Sequence, residues 1–485
     1  MASMAESARR STLDAYFRFT ENGTTFGRDT LAGVTTFIVM SYIIFLNPAI
    51  LSFAGVQGLE GAGLPFNGVL ASTCLVAGVM TIIMGLVTNR AYAIAPGLGL
   101  NAVVAFTLVA TEGLGFPEAM GIVVMEGALV TLLVLLGMRE KVMRAIPLEL
   151  KKAIAIGIGL FIAFIGLDNA GLIVSQEGSP PVALADFTTW PSLVALFGLV
   201  LAVVLRAIRF RGDLLVAIVA TTIFATIVNW ATDYEAYPEG SGFARWPDDI
   251  VQSPNFGLVG EFSFDSFATV GVVTTLAFVF ALFLADFFDT MGTLVGVGKQ
   301  AGYLDEKGEL PEIRKPLLVD SVAAMAGAAA SASSATTYIE SGAGVGVGGR
   351  TGWVSVVTGL LFFPFIFFAP LIGMVPPQAT GVILVIVGWL MATALVDAEG
   401  EAEHEKRPGI DFHNFALGFS ALIAIIIMPF TFSITNGIGF GFISYVVIRV
   451  AQGEARKVHP LMYTAAAAFA LYFLIPLLHD NLSWI

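Results

Sequence analysis

The chain has 485 residues, 56% hydrophobic and only 13% charged, and its mean hydropathy is +0.84. These values exclude a soluble multi-domain protein and describe an all-α polytopic membrane protein. The formal net charge is −13 and the acid collects in loops, notably Asp233 to Asp265 and Asp397 to Asp411, so nucleic acid is not an expected partner.

Met1 to Asp29 is polar and leads into a full-length span, so no cleavable signal is expected. Apolar runs of about 20 residues read as spans. They cover Leu31–Phe53, Gly68–Thr88, Ile122–Gly137, Ala153–Val174, Pro191–Ile208 and Leu214–Ala231, with a shorter run, Gly97–Ala110, as the third element. After the loop Thr232–Ser266 come Phe267–Val297, Pro316–Ala330, Trp353–Ile372, Pro377–Val396, Phe412–Met428 and Ile434–Val450, with a short run, Gly342–Gly349, as the tenth element. His459–Leu478 reads as either a fifteenth span or an interfacial helix. Lys and Arg mark the cytoplasmic side. Arg9, Arg10, Arg18, Arg28, Arg90, Arg139, Lys141, Arg144, Lys151, Lys152, Arg206, Arg209 and Arg211 all fall inside if the N-terminus is inside, and the loops left outside hold only Arg245.

Each half has an odd number of elements, so the second half runs upside down relative to the first, the inverted-repeat plan of secondary transporters. The division expected is a cytoplasmic N-terminus over 1–30, a first repeat of seven segments over 31–231, an extracellular loop over 232–266, a second repeat of seven over 267–451 and a C-terminal hydrophobic segment and tail over 452–485. Thr35-Thr36 recurs as Thr274-Thr275, and the same offset carries Asn101 onto Glu340. The third and tenth elements are too short to cross about 30 Å of hydrocarbon as helices. Pro96 and the glycines around it, and Thr336, Thr337 and Tyr338 before a glycine-rich run, predict two discontinuous segments: each a short extended piece plus a half-helix, meeting at mid-membrane.

Function is concentrated in the acids. Asp286 and Asp289 stand three residues apart in an otherwise lipid-like helix and share one face, and Glu340 lies in the polar tenth element. Ionisable groups in hydrocarbon cost roughly 2.5–3.5 kcal/mol each on the mildest scale, so such groups face a cavity, a partner or an ion path. Asp286 or Asp289 is the expected carrier of a coupling proton, with sodium the alternative cation, because a neutralised site crosses the gate more cheaply than a charged one. Glu126, Asp168 and Asp320 also fall in spans but in no motif tied to a ligand, and read as structural or near-surface.

Ala95-Pro96-Gly97-Leu98-Gly99-Leu100-Asn101-Ala102, Asp286 to Thr293 and Thr336 to Gly349 followed by Arg350-Thr351-Gly352-Trp353 resemble the signature segments of the AzgA-like purine permeases, a branch of the nucleobase–cation symporter-2 (nucleobase–ascorbate) superfamily. Asn47-Pro48 and Thr435-Asn436-Gly437-Ile438-Gly439-Phe440-Gly441 extend the resemblance over most of the chain. It implies fourteen segments in a seven-plus-seven inverted repeat, core and gate domains, often a homodimer, and uptake of guanine, hypoxanthine or adenine with protons across the plasma membrane. Carried over by position, Glu340 and Asp286 are the binding acids, Asp289 is the extra acid of the purine branch and Asn101 is the polar contact from the third element. Thr337 and Tyr338, beside Glu340, complete the candidate site, with Tyr338 able to stack on a base. A carboxylate accepts paired N–H donors from a guanine-like edge, and an amide both donates and accepts.

Two other functional classes compete. An anion transporter or channel of the same fold wants positive charge at its site, which Asp286, Asp289 and Glu340 oppose. An intramembrane aspartyl protease needs two aspartates on different helices, and no G-x-G-D run occurs. No enzyme, metal or cofactor is expected: Cys74 is the only cysteine, and His404, His413, His459 and His479 lack metal-ligand spacing. Gly344 to Gly349 matches G-x-G-x-x-G without a βαβ unit around it.

Overall fold

The computed structural model describes residues 12–56, 58–59, 61–137, 145–175, 182–237, 241–305, 309–397 and 409–481. In chain order the elements are α1 (Thr12–Phe17), α2 (Phe26–Met40), α3 (Ile43–Leu51), α4 (Phe66–Thr88), β1 (Ile94–Pro96), α5 (Leu98–Ala102, continued as π-helical turns over Val103–Thr111), α6 (Phe116–Leu135), α7 (Leu148–Asn169), β2 (Ile173–Ser175), β3 (Val182–Leu184), α8 (Trp190–Ala207) and α9 (Asp213–Ala231). The second part holds α10 (Ser266–Thr269), α11 (Val272–Ala301), α12 (Arg314–Ala329), β4 (Ala335–Thr337), α13 (Ser341–Gly346), α14 (Gly352–Leu360), a 3₁₀ turn (Phe363–Phe367), α15 (Ala369–Gly373), α16 (Pro377–Asp397), α17 (Phe415–Phe430), α18 (Ile434–Ala451) and α19 (Pro460–Asn481). Among the described residues, eight helical stretches are long and apolar enough to cross a membrane: α2 with α3, then α4, α6, α7, α8, α9, α11 and α18.

Two of the expected single spans are interrupted. Leu31–Phe53 divides at Ser41-Tyr42 into α2 and α3, where the Ser41 hydroxyl returns to the Ile38 carbonyl at 3.0 Å. Trp353–Ile372 becomes α14, the 3₁₀ turn and α15, because Pro364 and Pro370 have no N–H to continue a helix. His459–Leu478 falls almost wholly within α19, a single helix of 22 residues.

At the crossing of the two short elements, β1 and β4 pair antiparallel, with Ile94 opposite Thr337, Ala95 opposite Thr336 and Pro96 opposite Ala335. Each strand is followed by a short helix, α5 or α13. Interrupted backbone inside a bilayer needs partners other than water. Here the Thr81 hydroxyl accepts from Ile94 N–H and donates to the Ile94 carbonyl, Ala93 N–H donates to Ser341 Oγ, and Ser355 Oγ donates to the Tyr92 carbonyl. Asn47 of α3 links three neighbours. Its amide donates to Thr73 Oγ1 of α4 at 2.7 Å and to the Ala332 carbonyl at 3.2 Å, and its carbonyl oxygen accepts from Asn101 Nδ2 of α5 at 2.5 Å.

Glycines set the helix packing on either side of this crossing. Gly78 and Gly85 of α4 meet Gly359 and Gly352 of α14, and Gly159 and Gly166 of α7 meet Gly388 and Gly381 of α16. Both pairs run antiparallel, with the glycines about two turns apart on each helix. The approach is backbone to backbone: a Cβ on Gly352 would lie 2.0 Å from the Gly85 carbonyl oxygen, and one on Gly388 2.3 Å from that of Gly159. Small residues permit this closeness, which dispersion and backbone contacts then stabilise in a bilayer. Gly352→Ala is therefore expected to destabilise the protein by about 1–3 kcal/mol through overpacking. Gly27→Ala, with nothing within 4 Å, serves as the neutral control. Thermal unfolding of the detergent-purified protein, followed by the monodisperse fraction, checks both.

Candidate functional site

Beside the strand crossing lies a small cavity. Its polar wall is built from Asp289 and Thr293 of α11, the run Thr336 to Glu340, and Tyr42 at the break between α2 and α3. Val387, Leu390 and Met391 of α16 supply its apolar lining together with Leu98, and Gly97 also borders it. Gly97 carries no side chain for a reason: a Cβ there would come within 2.9 Å of the Thr336 methyl group.

Four of the six residues predicted to bind substrate line this cavity: Asp289, Thr337, Tyr338 and Glu340. Asp289 and Glu340 are each partly buried and close enough for their charges to interact. Glu340 Oε1 accepts a 2.5 Å hydrogen bond from the Tyr42 hydroxyl, and Tyr338 donates its own hydroxyl to the Pro96 carbonyl at 2.5 Å. The Tyr42 and Tyr338 rings stand 6.4 Å apart, centroid to centroid. With both hydroxyls engaged, each ring retains an apolar face.

The remaining two are elsewhere. Asn101 is fully buried in the Asn47 network and does not line the cavity. Asp286 is 1% exposed and faces away from the cavity, toward Glu126 of α6 and Asp320 of α12. A spacing of three puts Asp286 and Asp289 near one another on the helix, but only the latter lines the cavity.

Asp320 has a definite task that no motif advertised. Its Oδ1 accepts from the Thr337 N–H at 2.7 Å and the Thr337 hydroxyl at 2.6 Å, and its Oδ2 accepts from the Thr290 hydroxyl at 2.7 Å. Thr290 Oγ1 is also 2.7 Å from Thr336 Oγ1. Either hydroxyl can be the donor in that bond. This chain clamps β4 to α11 and α12 and sets where Tyr338 and Glu340 stand. Asp29 does similar work after α13, accepting from Thr351 N–H and Oγ1 at 3.0 and 2.5 Å and from Arg350 N–H at 3.2 Å. Tyr42 and Asp320 were both legible only as a tyrosine and an acid in apolar surroundings. Asp168, by contrast, is exposed.

An interrupted-helix cavity of this kind defines a membrane protein that passes a small molecule between its helices, and the comparisons name the class. Residues 27–410 match the Permease family, and the chain belongs to it, as a member of the nucleobase–cation symporter-2 (nucleobase–ascorbate) family. It is 36% identical over 467 residues to the adenine permease AdeQ of Escherichia coli, covering 96% of both chains. It is 35% identical over 468 residues to the guanine/hypoxanthine permease PbuG of Bacillus subtilis, covering 95% of this chain and 99% of that one. A permease of Methanocaldococcus jannaschii described as putative is 37% identical over 469 residues, covering 95% and 98%. The fold is shared with the transmembrane domain of a cyanobacterial bicarbonate transporter, BicA, at a TM-score of 0.58 and 17% identity, covering 85% of this chain and 97% of that one.

Asp320→Ala strands three donors in the interior. Each unsatisfied buried donor costs about 1–3 kcal/mol, so this variant is expected to lower thermal stability by a several-degree shift, whereas Asp320→Asn, which keeps an acceptor oxygen, should lose less. Melting curves of the two purified variants side by side decide this.

Proposed function

We propose that this protein takes up purine nucleobases, guanine, hypoxanthine and adenine being the candidates, by proton symport through alternating access. One observation carries the reading: Asp289 and Glu340 line the same cavity as two tyrosine rings, those of Tyr42 and Tyr338. A purine brings a flat apolar face for the rings and N–H donors for the carboxylates. Hydrogen bonding along its edge supplies selectivity, since an analogue lacking a donor leaves a buried acceptor unpaired. Relatives described as adenine and guanine/hypoxanthine permeases, matched over nearly their full length, support the same substrate class. Carboxylates facing the cavity count against the anion-transport alternative, to which the bicarbonate transporter adds only a likeness of fold.

The architecture we favour is fourteen segments in two inverted repeats of seven over 31–231 and 267–451. The broken pairs β1–α5 and β4–α13 act as its third and tenth members, and α19 stands outside the repeats. In this reading α2–α6 and α11–α15 form a core that carries Asp289, Thr337, Tyr338 and Glu340, and α7–α9 with α16–α18 form the gate. The antiparallel packing of β1 on β4 and of α7 on α16 supports it, as does a cavity between Glu340 on one side and Met391 on the other. The N-terminus is cytoplasmic, from the distribution of Lys and Arg, and the membrane is the cell membrane. Asn101 contributes through Asn47, holding the half-helix in place; Asp286 and Asp289 are the candidates for the coupling ion, proton before sodium. A homodimer is expected from the family resemblance.

The test is uptake of labelled guanine, hypoxanthine, adenine, xanthine and uracil into proteoliposomes under an imposed inward proton gradient, with and without sodium. Accumulation of one or more purines that collapses with the gradient is the expected result; a folded preparation that accumulates no base sinks the reading. In the same assay Glu340→Gln removes a charged acceptor. A charge-assisted hydrogen bond is worth about 1.5–3 kcal/mol, so purine affinity should fall about ten- to a hundredfold, read as the shift in half-saturating concentration.

A further inference from the structure

Behind the cavity, where α6 packs on α11, two acids face each other. Glu126 is 0% exposed and Asp286 1% exposed, and they lie within hydrogen-bonding reach of one another. None of their four carboxylate oxygens accepts a hydrogen bond from a donor among the described residues. Among the nearby hydroxyls, Thr337 and Thr290 donate to Asp320, and Thr336, which lies beside both Thr290 and Asp286, is the one that could serve the pair. Asp320 is thus furnished with three donors and is satisfied as an anion, while its two neighbours share at most that one hydroxyl. The titratable groups facing the pair are Asp320 from α12 and Asp289 from α11 itself, of the same sign. Two carboxylates bring only acceptors, so the arrangement closes only if a proton is bound between them.

We infer that a single proton is held between Glu126 and Asp286, and that this pair, rather than the cavity acids Asp289 and Glu340, carries the coupling ion. The inference rests on the proton-symport reading above and adds Glu126, a residue outside the substrate site, as the partner that fixes where the proton binds. With the proton present, an O–H···O hydrogen bond joins α6 to α11; without it, like charges oppose each other across the same contact. Because α11 also presents Asp289 to the cavity, one helix reports the state of the proton site to the substrate site, which is the coupling a symporter needs. Asp289 is then left free to accept from the substrate.

Infrared spectroscopy of the full-length protein in lipid tests the site without any substrate. A protonated-carboxyl C=O band is expected at neutral pH in the wild type, lost in Glu126→Gln and in Asp286→Asn, and kept in Asp289→Asn. A wild-type spectrum without the band, or a band that Glu126→Gln leaves unchanged, overturns the inference. For the coupling, Glu126→Gln is expected to retain purine exchange at equal pH on both sides of the proteoliposome membrane but to lose acceleration by an inward proton gradient. Full gradient-driven accumulation in that variant, or loss of exchange and gradient response together in a monodisperse preparation, overturns it too. A wild type that exchanges no purine at all fails the transport reading instead, and the infrared result then still decides whether the proton site exists.

Discussion

Everything in this protein is arranged around one constraint: in a bilayer interior an unpaired backbone amide has no water to turn to. Two chain segments nevertheless give up helical hydrogen bonding at the same place. They can do so because they pair with each other, β1 on β4, and because side chains from the surrounding helices take up the groups the strands leave over. Thr81 serves Ile94, Ser341 serves Ala93, and Asp320 serves Thr337. The crossing costs helical continuity and yields directional chemistry inside the protein, where an unbroken helix would present only its side chains.

The acids acquire different roles from the same backbone event. Glu340 stands at the entry to α13 with its carboxylate at the cavity; Asp289 reaches the cavity from α11; Asp320 looks the other way and holds the strand; Asp286 and Glu126 face each other behind it. Charge alone does not separate these roles. Hydrogen-bond donors do. Asp320 has three, Glu340 has the Tyr42 hydroxyl, and Asp286 and Glu126 share at most the hydroxyl of Thr336. Among buried carboxylates, the supply of donors determines which can be carried as an anion and which must meet a proton or a ligand.

Close glycine contacts supply the rigidity that such a site requires. Where α4 meets α14 and α7 meets α16, carbonyl oxygens occupy the space a methyl group would take. Contacts of this kind resist sliding, because any shift in register drives backbone against backbone. The cavity lies between Tyr338 and Glu340 on one side and Val387 to Met391 of α16 on the other, so a relative motion of those two walls would alter it while leaving the glycine pairs intact.

The sequence by itself determined the membrane class, the number of apolar runs and the two places where a span is too short to be a helix. These are properties of local composition, and hydrocarbon thickness turns composition into structure with few alternatives. It also singled out Asn101, Asp286, Asp289, Thr337, Tyr338 and Glu340 as polar groups in apolar runs, without any knowledge of their neighbours, and four of them line one cavity. What only the tertiary structure decided was direction. Asp286 and Asp289 look alike in sequence, yet one faces Glu126 and the other the cavity; Asn101 is spent on Asn47; Asp320 and Tyr42, in no motif, position the strand and bind Glu340. The physical reason is that a helix's periodicity gives the angle between its own side chains, but which neighbour lies at that angle depends on packing between segments hundreds of residues apart in the chain.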